Sequence, residues 1–382
     1  MPTRKVAAEV LWRAVWLCVV VMALGGCMEQ QPWRIGFIGG LTGKAADLGM
    51  AARNGTRLAV EEANAAGGVA GRLVELVVRD DAQRVDLAGR AVSELLAARV
   101  DAIVGPTTSA MAEVVLPLTA SSGLAVVSPT VAGSGFSGRD DHFFRVVAST
   151  REHASASARY LAQTLGLRRV AVILDQGNEA YTADWVKHFS GAFLAAGGEV
   201  LLTETFFSSH DASLQEPVAR LLAVRPDAVL IAAGALDMAR ISQLVRRRDT
   251  AIALMGTTWA ATEELVSVGG RAVEGAVVPQ MFDRDDNSAR YAAFRSAYLD
   301  RFGEQPGYAS VAAYDATRLV LDALARGGSG ERVRQMLIDH EFDGLQGRLK
   351  IDAWGDTRRD VFMTTIRNGR FSVEAKLPGA TP

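Results

Sequence analysis

From Trp33 onward, short runs of β-branched and apolar residues alternate with longer amphipathic stretches, and the alternation is played through twice. This is the pattern of a parallel sheet wrapped by helices, so the chain is α/β. The first block predicts strands at 34–41, 73–78, 102–104 and 124–127, with helices at about 49–66, 85–98 and 109–120 between them. Ala65-Ala66-Gly67-Gly68 stops the first of these helices. The second block begins after Val146: helix 151–165, strand 169–174, helix 180–196, strand 199–206, helix 213–223, strand 228–231, helix 237–247, and strands at 252–255 and 275–278. Two further helices follow at 288–302 and 308–325, then short strands near Leu349 and at 362–366. Two similar α/β blocks imply two lobes with a cleft between them, where open α/β sheets bind ligands.

What precedes Trp33 is a leader. A basic start (Arg4, Lys5, Arg13) runs into an apolar stretch from Ala14 to Leu24 and then Leu24-Gly25-Gly26-Cys27. Small residues ahead of a cysteine, after an apolar run too short to span a bilayer comfortably, look like a bacterial lipobox. On that reading residues 1–27 are signal peptide and lipobox, Cys27 is lipidated, and the protein is exported and tethered to a membrane, inner or outer. The alternative is an anchor retained at Trp12–Gly25. Setting the leader aside takes the net charge from −2 to −4, and nothing in that balance suits nucleic acid. Cys18 and Cys27 both lie in this segment, so no thiol is left to form a disulfide and the fold must hold by its core. The whole chain is 49% hydrophobic, and the stretch of about 355 residues after the leader has ample material for two domains.

Enzyme motifs fail on inspection. Gly133–Gly138 matches G-x-G-x-x-G, but Arg139-Asp140-Asp141-His142 does not continue as a helix, so a flexible loop is expected there. Gly39–Ala45 is one residue short of a P-loop and offers Ala45 where a hydroxyl is needed. Asp283–Asn287 starts like a calcium loop, yet Ser288 and Phe294 stand in place of its glycine and glutamate. The histidines are scattered, and Arg246-Arg247-Arg248 is explained by a solvated helix end. No catalytic residue, metal set or cofactor loop is identified.

One ordered series remains: Arg34–Gly39, Thr42-Gly43, Gly49, Arg53-Asn54-Gly55, Asn64–Gly68, Arg79-Asp80-Asp81, Val104-Gly105-Pro106, Val127-Ser128-Pro129, Val172–Asp175, Ala180-Tyr181, Ala272–Gly275 and Ala313–Ala316. It resembles the leucine/isoleucine/valine-type periplasmic binding proteins, the ligand receptors of ABC importers, over nearly the whole chain after the leader. The resemblance implies the type I fold: two doubly wound parallel-sheet lobes joined by a three-strand hinge, closing on a ligand without chemistry. It places the first lobe at 32–148 plus 280–352 and the second at 149–279 plus 353–382.

The resemblance also implies a site. The family's carboxylate-binding serine falls on Ser109, beside Thr108 at the start of a predicted helix whose free N–H groups suit an anion. Ser109 as a plain N-cap is the other reading. Thr130 belongs to the segment whose backbone lines the pocket, and Tyr181 matches the tyrosine that closes over the ligand. Three positions depart from the pattern: Ala132 replaces a threonine, Thr258 replaces a frequent carboxylate, and Leu48 replaces an aromatic wall. A buried ammonium without a carboxylate is costly. Either Asp237 supplies that charge or the ligand has no ammonium, and Asp237 equally reads as a helix N-cap. Trp259 faces the ligand or packs within its lobe. The expected protein is thus an extracytoplasmic receptor for an amino acid or related small carboxylate, partnered by an ABC permease. A sensor for a signalling partner, or a structural lipoprotein regulating an envelope enzyme, are the alternatives.

Overall fold

A computed structural model describes residues 31–43, 46–208 and 213–379; the leader and Cys27 lie outside them. The first run comprises β1 (Trp33–Gly39), α1 (Ala46–Ala65), β2 (Val74–Asp80), α2 (Val85–Ala97), β3 (Ala102–Val104), α3 (Ser109–Thr119), β4 (Val126–Ser128) and β5 (Phe143–Arg145). The second comprises α4 (Thr150–Arg159), β6 (Arg169–Asp175), α5 (Glu179–Ala195), β7 (Glu199–Phe206), α6 (Gln215–Ala223), β8 (Ala228–Ala232), α7 (Ala235–Arg246), β9 (Ala253–Gly256), α8 (Glu263–Gly269) and β10 (Val277–Gln280). The chain then returns through α9 (Ala289–Phe302), α10 (Tyr308–Ala325), α11 (Arg332–Leu337) and the hairpin β11 (Glu341–Gly344)–β12 (Gly347–Lys350), and ends in β13 (Val361–Arg367) and β14 (Arg370–Leu377).

The strands form two sheets with the same winding. One runs β2-β1-β3-β4-β5, all parallel. The other runs β7-β6-β8-β9-β10 in parallel and adds β13 and β14 antiparallel at its far edge. Each sheet reverses its winding direction once, between β1 and β3 and between β6 and β8, and such switch points open a crevice at the carboxyl ends of the strands. The antiparallel β13–β14 edge was not foreseen, because a terminal strand read from composition carries no direction. The three-residue β5 and the one-and-a-half-turn α11 were likewise too short to show a period. Helix 151–165 is α4 followed by a π-helical turn at Tyr160–Thr164.

The chain passes between the sheets three times: after β5, after β10 and after β12. Arg145 stitches the first passage to the third. Its side chain is 1% exposed, pairs with Asp356 at 2.7 Å and donates to the Gly133 carbonyl at 3.0 Å, while its backbone N–H donates to the Gly355 carbonyl at 3.0 Å.

Helix α10 is buried along almost its whole length and packs along α1. The close approach depends on Gly55, where a Cβ would sit 2.1 Å from the Ser310 carbonyl oxygen. Gly49 does the same at the start of α1, where a Cβ would meet the Gly40 carbonyl oxygen at 1.9 Å. Gly55→Ala should therefore destabilise the protein by about 1–3 kcal/mol in urea unfolding, the usual cost of overpacking. Gly191→Ala, on the exposed side of α5 with open space around it, should instead be neutral or stabilise by roughly 0.5–1 kcal/mol. Equal effects at the two positions would contradict this packing.

Candidate functional site

The carboxyl ends of both sheets converge on one small cavity lined by Leu48, Thr107, Thr108, Ser109, Thr130, Asn178, Tyr181, Thr258, Trp259, Met281 and Tyr308. Its volume is about 10 Å³, of the order of one water molecule, so the cleft is shut. Seven of the residues expected from the sequence meet here: Leu48, Thr108, Ser109, Thr130, Tyr181, Thr258 and Trp259.

On the side of the first sheet the floor is the N-terminus of α3. Thr108, with extended φ −126° and ψ 152°, is its N-cap, which corrects the reading of Ser109 as a cap. Ser109 is the first helical residue, and its Oγ accepts a hydrogen bond from the Gly133 N–H at 3.2 Å. The Ser128–Thr130 segment is locked against the loop after β3. Ser128 Oγ donates to the Pro106 carbonyl at 2.7 Å, and Thr130 Oγ1 donates to the Thr107 carbonyl at 2.6 Å. Thr108 Oγ1 reaches Gln83 Oε1 at 2.7 Å.

The second sheet supplies the lid. Tyr181, in the first turn of α5, donates its hydroxyl to Thr258 Oγ1 at 3.2 Å and accepts from the Trp259 N–H at 3.3 Å. Its ring meets that of Trp259 edge-on, with centroids 6.1 Å apart at 80°. Burial pushes the Tyr181 hydroxyl above its ordinary pKa, so it stays a neutral donor. Asn178, just before α5, crosses the seam: its Oδ1 accepts the Ala110 N–H at 3.0 Å. A side-chain oxygen from one lobe thus sits on the same helix N-terminus that suits a carboxylate.

Two expected residues are not brought to the lining. Ala132 is buried in the apolar core under the second sheet, and its carbonyl accepts the Thr150 N–H at 2.7 Å at the start of α4. Asp237 is the third residue of α7, whose N-cap is Gly234, so it is neither a cap nor a loop residue. Its carboxylate accepts from Ser208 Oγ and pairs with Arg240 at 3.4 Å. The lining consequently holds hydroxyls, one amide and apolar walls, but no formally charged side chain. Thr107, Asn178, Met281 and Tyr308 were missed. Each follows a strand end or opens a helix, and only the strand order, not a motif, brings those places together.

The rejected motifs serve structural ends. Leu41 N–H and Thr42 Oγ1 both bond the Asp80 carboxylate, at 2.8 and 2.6 Å, where a P-loop would hold phosphate. Asp283 and Asp286 accept backbone N–H groups two residues on, at 2.9 and 2.7 Å. Among the described residues no cluster of His, Cys, Asp and Glu could hold a metal. Ser134 bonds Asp184 Oδ1 at 2.8 Å and contacts His188 Nε2 at 3.0 Å, which also faces Asp184 at 3.4 Å. Serine and aspartate meet the same ring nitrogen, which is not the relay geometry of a catalytic triad.

With two like-wound lobes, three crossings and a cleft at the facing strand ends, the class is a two-lobed ligand receptor. The chain belongs to the periplasmic binding protein family, whose profile matches residues 32–370. It is 26% identical over 299 residues to a Leu/Ile/Val-binding protein homolog of Brucella melitensis, covering 77% of this chain and 79% of that protein. The solved LivJ substrate-binding protein from Streptococcus pneumoniae, in complex with isoleucine, superposes with a TM-score of 0.83 at 25% identity, covering 92% of this chain and 100% of that one. A solute-binding protein from Rhodopseudomonas palustris in complex with benzoate also gives a TM-score of 0.83, at 18% identity, covering 92% of this chain and 98% of that one. No helix among the described residues is long and apolar enough to cross a membrane.

Tyr181→Phe should cost about 0.5–1.5 kcal/mol in denaturant unfolding through loss of the Thr258 and Trp259 bonds, and Tyr181→Ala about 3–5 kcal/mol. A cost for Tyr181→Phe close to that for Tyr181→Ala would show that the hydroxyl, not the ring, holds the lid.

Proposed function

We propose that this protein is an extracytoplasmic solute receptor for an ABC importer that binds a small carboxylate in the cleft between its lobes, without catalysis. The observation that carries the ligand class is the uncharged lining over the N-terminus of α3. The helix end and the Ser109 hydroxyl favour an anionic group, while the Thr130 hydroxyl is already donated to the Thr107 carbonyl. Leu48, Met281 and Trp259 offer an apolar surround for the rest of the molecule. An ammonium would meet no carboxylate in this lining, and leaving it buried and unpaired costs several kcal/mol. The preferred ligand is therefore an acid without a free amine, aliphatic or aromatic. Among similar proteins one was solved with isoleucine and another with benzoate; in this reading the lining departs from what an amino acid such as isoleucine needs for its ammonium.

In this reading the segments 32–148 plus 280–352 and 149–279 plus 353–382 move as two bodies about the three crossings. Lipidation at Cys27 keeps the receptor at a membrane, near the permease that receives the closed form. Metabolic labelling with a radioactive fatty acid should mark the wild-type chain and not Cys27→Ala; equal labelling of both would remove the anchor from this account.

Thermal unfolding in the presence of leucine, its keto-acid analogue and benzoate tests the ligand class. A ligand at about 100 times its dissociation constant stabilises the folded state by roughly 2.7 kcal/mol, a readable shift. The expected hits are acids lacking an amine, weakened by Ser109→Ala. Hits confined to amino acids would contradict the ligand class. No hit across a broad panel of acids and amino acids would favour a structural lipoprotein whose cleft stays shut.

A further inference from the structure

Asn178 is the N-cap of α5, yet its side chain bonds no N–H group of that helix. A cap residue ordinarily turns its side-chain oxygen back to the N–H of the second or third helical residue, here Ala180 or Tyr181. The Asn178 oxygen instead accepts, at 3.0 Å, the N–H of Ala110, the second residue of α3. The complementary half of this arrangement is on α3 itself. Its own N-cap, Thr108, makes no side-chain bond to the helix, because the hydroxyl is donated to Gln83 Oε1 at 2.7 Å. Ser109 Oγ is engaged with the Gly133 N–H at 3.2 Å. Neither helix is capped by its own N-cap side chain, and the cap residue of one serves the other across the seam.

The two partners belong to different lobes and are fixed within them. Asn178 is buried, and the turn that carries it is pinned to the second sheet. Thr182 Oγ1 donates to the Asp175 carbonyl at 2.7 Å and to the Asn178 carbonyl at 3.3 Å, while the Asp175 carboxylate accepts the Gly177 and Ser208 N–H groups at 2.9 and 2.8 Å. Ala110 is carried by α3, whose first turn is tied to the loops after β2 and β4 through Thr108 and Ser109. A bond between groups held so firmly on opposite sides forms only when the lobes meet, so it adds to the closed form alone.

We propose that Asn178 is a latch: by capping α3 across the seam it holds a fraction of the receptor closed without help from a solute. The proposal rests on the receptor reading for the opening and closing of the lobes, but not on which acid is bound. The latch oxygen sits on the same helix start that suits a carboxylate, so the protein supplies from its own second lobe an acceptor of the kind its ligand would bring. One net hydrogen bond of this sort changes a two-state ratio by roughly two- to tenfold. Asn178 is thus a positioning residue that sets the balance between open and closed forms.

Pulsed electron resonance between spin labels at the exposed positions Ser93 on α2 and Lys187 on α5 tests this in the full-length chain carrying Cys18→Ser and Cys27→Ser, refolded to strip bound solute. The wild type should show both a short and a long separation. Glycine serves as an N-cap nearly as well as asparagine, so Asn178→Gly takes the oxygen from α3 while disturbing α5 little. In that variant the ratio of short to long separations should fall roughly two- to tenfold. Asn178→Asp, whose carboxylate accepts from the same N–H and suits the positive end of a helix, should keep the short separation. A wild type with long separations alone, equal distributions in the wild type and Asn178→Gly, or an Asn178→Asp that matches Asn178→Gly would each overturn the latch. None of these outcomes needs the solute: distributions that are equal here but shorten on addition of an acid remove the latch and leave the receptor reading standing.

Discussion

Parallel strands place all their carboxyl ends along one edge, and in this chain both sheets turn that edge toward the same seam. The cavity lining follows from it: Thr107–Ser109 come from the end of β3, Thr130 from β4, Asn178 and Tyr181 from β6, Thr258 and Trp259 from β9, and Met281 from β10. The lining residues are far apart in sequence and adjacent in space because strand ends and helix starts are where a doubly wound sheet exposes backbone N–H groups and short polar side chains. The three crossings hold the two edges face to face, and Arg145, buried against Asp356 and the Gly133 carbonyl, fixes two of them together.

Much of this was legible from residues alone, and the limits are physical. The long amphipathic helices and β-branched strands announced themselves by period, and β3, β7 and α10 fall within the bounds expected for them. Gly49 and Gly55 could be picked out as part of a familiar series, but their reason, a carbonyl oxygen about 2 Å from where a Cβ would stand, belongs to the packed structure. Ser109, Tyr181 and Thr258 could be placed by resemblance. Asn178 could not, because its contact with Ala110 N–H joins elements on opposite lobes and no local pattern encodes that. Asp237 misled for a related reason. An acidic residue near a helix start reads as a cap or a ligand group, and only the position of Ser208 and Arg240 shows where its charge is spent.

The distribution of charge gives the site its character. Formal charges stay out of the lining, while hydroxyls and one helix N-terminus remain inside it, a combination that tolerates an anion better than a cation. A ligand that binds open and closed forms equally shifts nothing, so closure must rest on contacts made only when the lobes meet. The Asn178–Ala110 and Thr262–Asp47 bonds are contacts of that kind.

The central claim is that these facing strand ends close on a small acid. The described residues contain no cysteine, so spin labels can be introduced singly at exposed sites on each lobe, Ser93 on α2 and Lys187 on α5, and their separation read by pulsed electron resonance. With the most strongly stabilising acid from the thermal panel, the separation should become shorter and its distribution narrower in the wild type, and should not do so in Ser109→Ala. Binding that leaves the separation unchanged, or an equal shift in both proteins, would contradict the account.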